Sequence, residues 1–181
     1  MPGAAHTSVA LLRGINVGSA NRISMADLRA IFEKLGYTDV TTLLQSGNVV
    51  FTSHRELGPA ATIALEDELA NTTGVRARIL VLSAARFLEI ARANPLVSIA
   101  DNDSMLIVTF LGEPAPASVT APSGIAPEVL EIGDGAIYQW CPLGLSKSIV
   151  PPAFFTKLGA QATARNWRTV GKIAGLLGET V

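Results

Sequence analysis

A single cysteine, Cys141, stands in 181 residues. That excludes an intramolecular disulfide and a zinc site built of four cysteines. Histidine is almost as scarce, with His6 and His54 alone, and neither lies in a histidine/carboxylate cluster of the kind that holds a transition metal. No pair of acids is spaced to announce hydrolysis. No run of about 18 uninterrupted apolar residues occurs, so no membrane-spanning helix is expected. The N-terminus lacks a basic stretch followed by an apolar one, so no signal peptide is visible and a soluble cytoplasmic protein is the expectation. Charge is thin as well: 16% of positions are Asp, Glu, Lys or Arg.

Apolar residues are abundant, at 49%. Such a chain is too hydrophobic to remain disordered. At this length folding buries roughly 70% of the unfolded chain's surface, enough for a core without staples. One domain, or two small subdomains, is expected. The formal net charge of −1 argues against a generally basic protein that coats nucleic acid. The charge is nevertheless unevenly spread. Residues 1–26 carry +2 and 40–55 carry +1, both without an acid; residues 56–134 carry −7, and residues 135–181 carry +4. Segregation of this kind marks an anion-facing surface when the positive segments meet in the fold.

Ser8–Arg13 is a short apolar run ended by Gly14 and reads as a strand. A Gly/Asn/Ser loop leads to Ser24, three residues before Asp27, a capping-box-like helix start. Met25, Leu28, Ile31, Phe32 and Leu35 then recur at helical spacing. Thr41–Leu44 and Asn48–Thr52 flank Ser46-Gly47, a hairpin signal. Ala60–Asn71 reads as a second helix. Val75–Leu82 alternates, with Arg76 and Arg78 on one face and Ala77, Ile79 and Val81 on the other. The resulting βαββαβ order is that of the ferredoxin-like split motif, with both helices on one sheet face. Ser83–Asn94 is a third helix, and the boundary of a first subdomain, 1–94, is placed at its end, before Pro95. In the second, 95–181, Met105–Leu111 is a strand and the Pro-rich 113–127 a loop with room for one helical turn. Val129–Ile132 and Ala136–Cys141 form a hairpin about Gly133-Asp134-Gly135. Ser146–Leu158 reads as helical around Pro151-Pro152, which at least begin or break a turn, and a basic amphipathic helix, Asn166–Leu177, ends the chain. The class is α+β: a ferredoxin-like N-terminal part followed by a smaller α+β subdomain.

Three segments carry candidate chemistry. In Leu11–Arg22 a strand, a glycine loop and a helix N-terminus follow one another, an order that cradles anions on backbone N–H groups. Arg13, Gly14, Asn16, Gly18, Asn21 and Arg22 are its candidate ligands. It lacks the Gly-Lys-Ser/Thr of a P-loop and the spacing of a dinucleotide fingerprint, and its plainer reading is a long turn held by asparagine side chains. In Gln45–Phe51, Ser46, Gly47 and Asn48 form either a tight hairpin turn or part of the same site. The two central strands of the sheet carry Val9, Leu11 and Val49, with Phe51 the lone aromatic, which speaks against base stacking of the RNA-recognition kind. In Thr163–Lys172 a helical reading puts Arg165, Arg168 and Lys172 on one stripe at i, i+3 and i+7. That stripe is either a solvated basic face or a positive surface for phosphate, with Thr163 and Asn166 as hydrogen-bond donors. Elsewhere the plainer reading prevails: Cys141 as a buried structural thiol, Glu66-Asp67-Glu68 as a solvated helical face, and His54 as a loop histidine.

Together these segments resemble the bacterial domain-of-unknown-function family 1697. Its pattern Leu-Leu-Arg-Gly-Ile-Asn-Val-Gly is Leu11 to Gly18 here, followed by Asn21, the basic Arg22, Met25 and Leu28. Its Ser-Gly-Asn-Val-Val-Phe is Ser46 to Phe51. Its Thr-Thr-Arg-Asn-Trp is Thr163 to Trp167, with Thr169 after it. Ser19 replaces a usual glycine, Ser24 a usual proline and Ala164 a usual threonine; the last removes a hydroxyl. The resemblance implies an α+β fold with a ferredoxin-like N-terminal part and supplies no function.

The expectation is a binding module for a small anionic, phosphate-bearing ligand or for nucleic-acid phosphate, with no cofactor and no metal. Arg13, Asn16, Asn21, Arg22, Ser46, Asn48, Arg165, Asn166, Arg168 and Lys172 would join in one positive pocket. One alternative is an enzyme of phosphoryl or acyl transfer at that pocket, with Asp27 or His54 as the available base. The other is a protein-interaction scaffold that uses Arg76 and Arg78 or the basic helix.

Overall fold

A computed structural model describes residues 5–19, 21–159 and 161–181. Ala20, inside the first motif, lies outside the described residues. The chain divides into two compact units, Met1–Phe87 and Leu88–Val181. The division falls inside the third helix, where the sequence reading placed it after that helix.

The first unit contains β1 (His6–Arg13), α1 (Met25–Lys34), β2 (Thr38–Leu43), β3 (Asn48–Ser53), α2 (Pro59–Thr73) and β4 (Arg78–Ser83). Its antiparallel sheet has the order β2-β3-β1-β4, compatible with the ferredoxin-like expectation. Alternation along the strands turns Ala10, Leu12, Val49, Phe51 and Ile79 to one core with Leu28, Ile31 and Phe32 of α1 and Leu65 and Leu69 of α2. Phe51 meets Phe32 edge-on at 4.9 Å and Tyr37 at 4.7 Å between ring centroids. The lone aromatic of the central strands is thus spent on the helix side, and no base-stacking platform results. Ser24 caps α1: its hydroxyl accepts from the Asp27 N–H and donates to the Asp27 carboxylate, the N-cap bond that the Ser24/Asp27 spacing leads one to expect. Pro59 opens α2 and Gly74, at φ 73°, closes it, the usual asymmetry of helix ends.

The helix α3 (Ala84–Arg92) straddles the division, and β5 (Leu106–Phe110), β6 (Val129–Gly133), β7 (Ala136–Trp140), α4 (Pro152–Thr156), β8 (Thr163–Asn166) and α5 (Trp167–Leu176) follow. The second antiparallel sheet runs β6-β7-β5-β8. Its order repeats that of the first sheet, with β5 in the place of β1. Where α1 stands in the first unit, residues 112–128 here form no helix. Pro114, Pro116, Pro122 and Pro127 remove four backbone donors from that segment. Leu111, Val119, Leu130, Ile137, Val150, Phe154 and Leu158 form a core of this unit.

Two expectations need correction. Ser146–Leu158 is not helical throughout: a single 3-10 turn at Leu145–Lys147 precedes the five-residue α4, and the expected break at Pro151-Pro152 is where α4 starts, at Pro152, with proline at a first helical position. The terminal helix is preceded by a strand, β8, paired with β5. Its sequence, Thr-Ala-Arg-Asn, holds no large apolar residue, so no hydrophobic alternation announces it.

Candidate functional site

The first motif folds as a loop in which, among the described residues, four hold positive φ: Gly14 at 81°, Asn16 at 52°, Gly18 at 61° and Asn21 at 53°. Glycine and asparagine are the residues that tolerate this conformation, which accounts for their spacing. Asn16 organises the loop. Its Oδ1 accepts from the Ile23 N–H at 2.9 Å, and its Nδ2 donates to the carbonyls of Ile23 at 3.0 Å and Gln45 at 2.8 Å. Its backbone N–H donates to the Asn21 carbonyl, and Asn21 Nδ2 donates to the Gly14 carbonyl at 3.0 Å. The loop is thereby closed on itself and fastened to the β2–β3 turn.

That turn is the second motif. Gly47, at φ 78°, accepts at its carbonyl from the Leu12 N–H at 2.8 Å. A Cβ placed there would lie 2.6 Å from Ile15 Cδ1 and 2.9 Å from Leu12 Cβ. Asn48 is buried and its Nδ2 donates to the Leu43 carbonyl and the Ser46 hydroxyl. The structure thus brings the first two motifs together, within the first unit, and commits their asparagines to holding the backbone. Arg13, Val17, Gly18, Ser19, Arg22 and Ser46 are exposed around them; Arg22 donates to the Gly18 carbonyl at 3.4 Å.

Arg13 ends β1 directly opposite Arg78 of β4, and both side chains are exposed. Like charges facing each other across strands cost stability. Arg78 is partly compensated by Glu66 of α2, whose carboxylate it meets at 3.0 Å while the other carboxylate oxygen accepts from the Ile79 N–H. Glu68 meets Lys34 of α1 at 2.7 Å; hydrogen bonds from Lys34 and Thr72 hold its carboxyl below the ordinary carboxylate range. Of the three consecutive acids read as a solvated face, Glu66 and Glu68 therefore serve as half-buried links between elements, and Asp67 is exposed.

In the second unit the third motif is a strand-to-helix junction. Arg165 lies on β8, paired with Val108 of β5, so it is not on a helical stripe with Arg168 and Lys172. It is buried, and its Nη1 donates to the Thr163 hydroxyl at 3.1 Å and the Ala164 carbonyl at 2.8 Å. Loss of solvent pulls its guanidinium down to about 10, still protonated at neutral pH. Asn166 caps α5: its Oδ1 accepts from the Thr169 N–H at 3.0 Å and the Thr169 hydroxyl at 2.8 Å. Only Arg168 and Lys172, exposed on α5 at i and i+4, offer the solvent-facing charge expected of this segment.

A polar cluster of the second unit left no mark in the sequence. Glu128 is buried. Its Oε2 accepts from Gln139 Nε2 at 2.7 Å and the Ser148 hydroxyl at 2.9 Å, and its Oε1 from the Ile149 N–H at 2.6 Å. Burial opposes its ionisation, but the Ile149 N–H and the Gln139, Ser148 and Cys141 donors outweigh it and lower its pKa. The same surroundings push the Cys141 thiol up to about 12, through burial first and then the Glu128 charge. Cys141 is therefore a neutral, buried thiol, not a nucleophile. The partners of Glu128 lie 11 to 21 residues further along the chain, on β7 and on the segments after it, a spacing no periodic pattern reveals. Among the described residues no group of three or more His, Cys, Asp or Glu could hold a metal ion, and no helix is long and apolar enough to cross a membrane.

The fold and these motifs define an α+β protein of two four-stranded antiparallel sheets whose signature residues shape a loop, a turn and a helix cap. Residues 6–138 match the family described as "Protein of unknown function (DUF1697)", and the chain belongs to that family. The match holds the first two motifs; the third lies beyond it. The chain is also similar in structure to the conserved bacterial protein SP0830 from Streptococcus pneumoniae, at 24% identity and a TM-score of 0.72, over 97% of this chain and 100% of that one. That likeness supports the fold. No curated protein matches the chain.

Proposed function

We propose that the protein is a cytoplasmic binding module for a small phosphate-bearing ligand or for nucleic-acid phosphate, gripped at the glycine loop of the first unit. The observation that carries this reading is the Arg13–Arg78 pair. Two arginines stand opposite each other in register on adjacent strands, beside an exposed loop that contains no acid. An anion at this edge gains charge-assisted hydrogen bonds. Asn16, Asn21 and Asn48 hold the backbone; the exposed groups that would meet a ligand at this site are Arg13, Arg22, Ser46 and loop N–H groups at Gly14 and Gly18. In the second unit Arg168 stands in the first turn of α5, where the helix dipole disfavours a cation. An anion there would offset that cost, with Lys172 one turn further on. The alternative of an enzyme lacks a comparable observation: Asp27 is engaged in the α1 cap, and His54 is an exposed residue of the segment after β3.

A thermal-shift screen of inorganic phosphate, nucleotides, sugar phosphates and short oligonucleotides tests the proposal. Stabilisation by at least one of them is expected, and Arg13→Ala should abolish it. Absence of stabilisation by every one of these anions removes the basis of the reading.

A further inference from the structure

The far end of the first sheet carries a different site. A cleft of about 490 Å³ opens where β1 begins and β4 ends, beside the start of α3. Ser8 and Ser83 line it and lie opposite each other in register on these two strands. Ser8 shares its sheet face with Ala10 and Leu12 of the core, and Val81 and Leu57, packed against the same core, line the cleft with it. The Ser8 residue is only 4% exposed, and its hydroxyl has no hydrogen-bond partner among the described residues. Nor is it sealed in the core: among the described residues the side-chain atom both sealed and unpartnered is Asn94 Nδ2. The hydroxyl of Ser8 therefore opens on the cleft, at a strand position where an apolar side chain would otherwise complete the packing.

The other wall supplies matching chemistry. Ser83 Oγ accepts from the Arg86 N–H at 3.1 Å. The remaining first-turn N–H groups of α3, at Ala84 and Ala85, have no intrahelical acceptor, and a helix N-terminus favours a negative group. Arg86 lines the cleft, and so does Glu56. The Glu56 charge weighs against a dianion more than against a singly charged group. Leu57 and Val81 provide an apolar wall for a short carbon chain.

We propose that this cleft binds a small carboxylate-bearing molecule, its carboxylate held by the Ser8 hydroxyl and the N-terminus of α3. The site shares no residue with the glycine loop and does not depend on the function proposed above. The test is a ¹⁵N NMR titration of the full chain with sodium butyrate, the neutral isostere butyramide and inorganic phosphate. Butyrate should shift the amides of Ser8 and Ser83 to Arg86 saturably, and butyramide should not. Ser8→Ala, with amide dispersion showing an intact fold, should weaken butyrate binding roughly tenfold. The wild-type titration decides the matter even if that variant does not fold. Absence of saturable shifts at these amides, an equal response to butyramide, or tighter binding of phosphate than of butyrate would each overturn the proposal.

Discussion

Asn16 and Gly47 show how the signature residues work one at a time. Asn16 uses both ends of its amide to tie three backbone groups together. Gly47 combines a left-handed φ with a contact that a Cβ would violate. Gly47→Ala is therefore expected to destabilise the first unit by about 2–4 kcal/mol, the combined cost of an L residue in that conformation and of overpacking against Leu12 and Ile15. Urea unfolding at neutral pH measures it. Glu128 gives a pH-dependent counterpart. Its folded pKa lies below its unfolded value. The stability it contributes is accordingly present above the unfolded carboxylate range and is lost as pH falls through the folded pKa. Unfolding midpoints taken from neutral pH down to about pH 3 should show a decline that Glu128→Gln flattens.

At the scale of elements, strand and helix order in the first unit was legible because apolar residues there keep the period of their element. Ala10 and Leu12 alternate, Leu28, Ile31 and Phe32 recur at helical spacing, and Ser24 with Asp27 marks the cap. The strand β8 was not legible, because Thr163, Ala164, Arg165 and Asn166 owe their places to pairing with β5 and to polar bonds rather than to apolar alternation. That misreading carried into the site: Arg165 was assigned to a solvent-facing stripe, whereas its bonds to Thr163 and Ala164 are made inside the fold. Asparagine next to glycine signals a turn and a ligand contact alike, because the same amide that can meet a ligand can also brace the backbone. A pair of variants separates the roles in the third motif. Arg165→Ala should cost roughly 2 kcal/mol or more, since it removes a buried stem and the donor to Thr163. Arg168→Ala, on the exposed face of α5, should stay within about 0.5 kcal/mol of wild type. Chemical unfolding of the two variants, run side by side, checks the contrast.

On the scale of the whole molecule, a near-neutral total hides a segregated charge. The loop and turn motifs fall in segments without acids, while the −7 of residues 56–134 is drawn partly into internal bonds, Glu66 to Arg78, Glu68 to Lys34, and Glu128 to its own cluster. At the end of β1, Arg13 and Arg22 are exposed beside a loop that holds no acid. The central claim is that this edge takes phosphate. The most direct measurement is a ¹⁵N NMR titration of the wild-type chain and Arg13→Ala with inorganic phosphate at low ionic strength. The account predicts saturable shifts of amides within Gly14–Ile23 in the wild type, lost in Arg13→Ala. Shifts absent from that loop, or unchanged in Arg13→Ala, would contradict it.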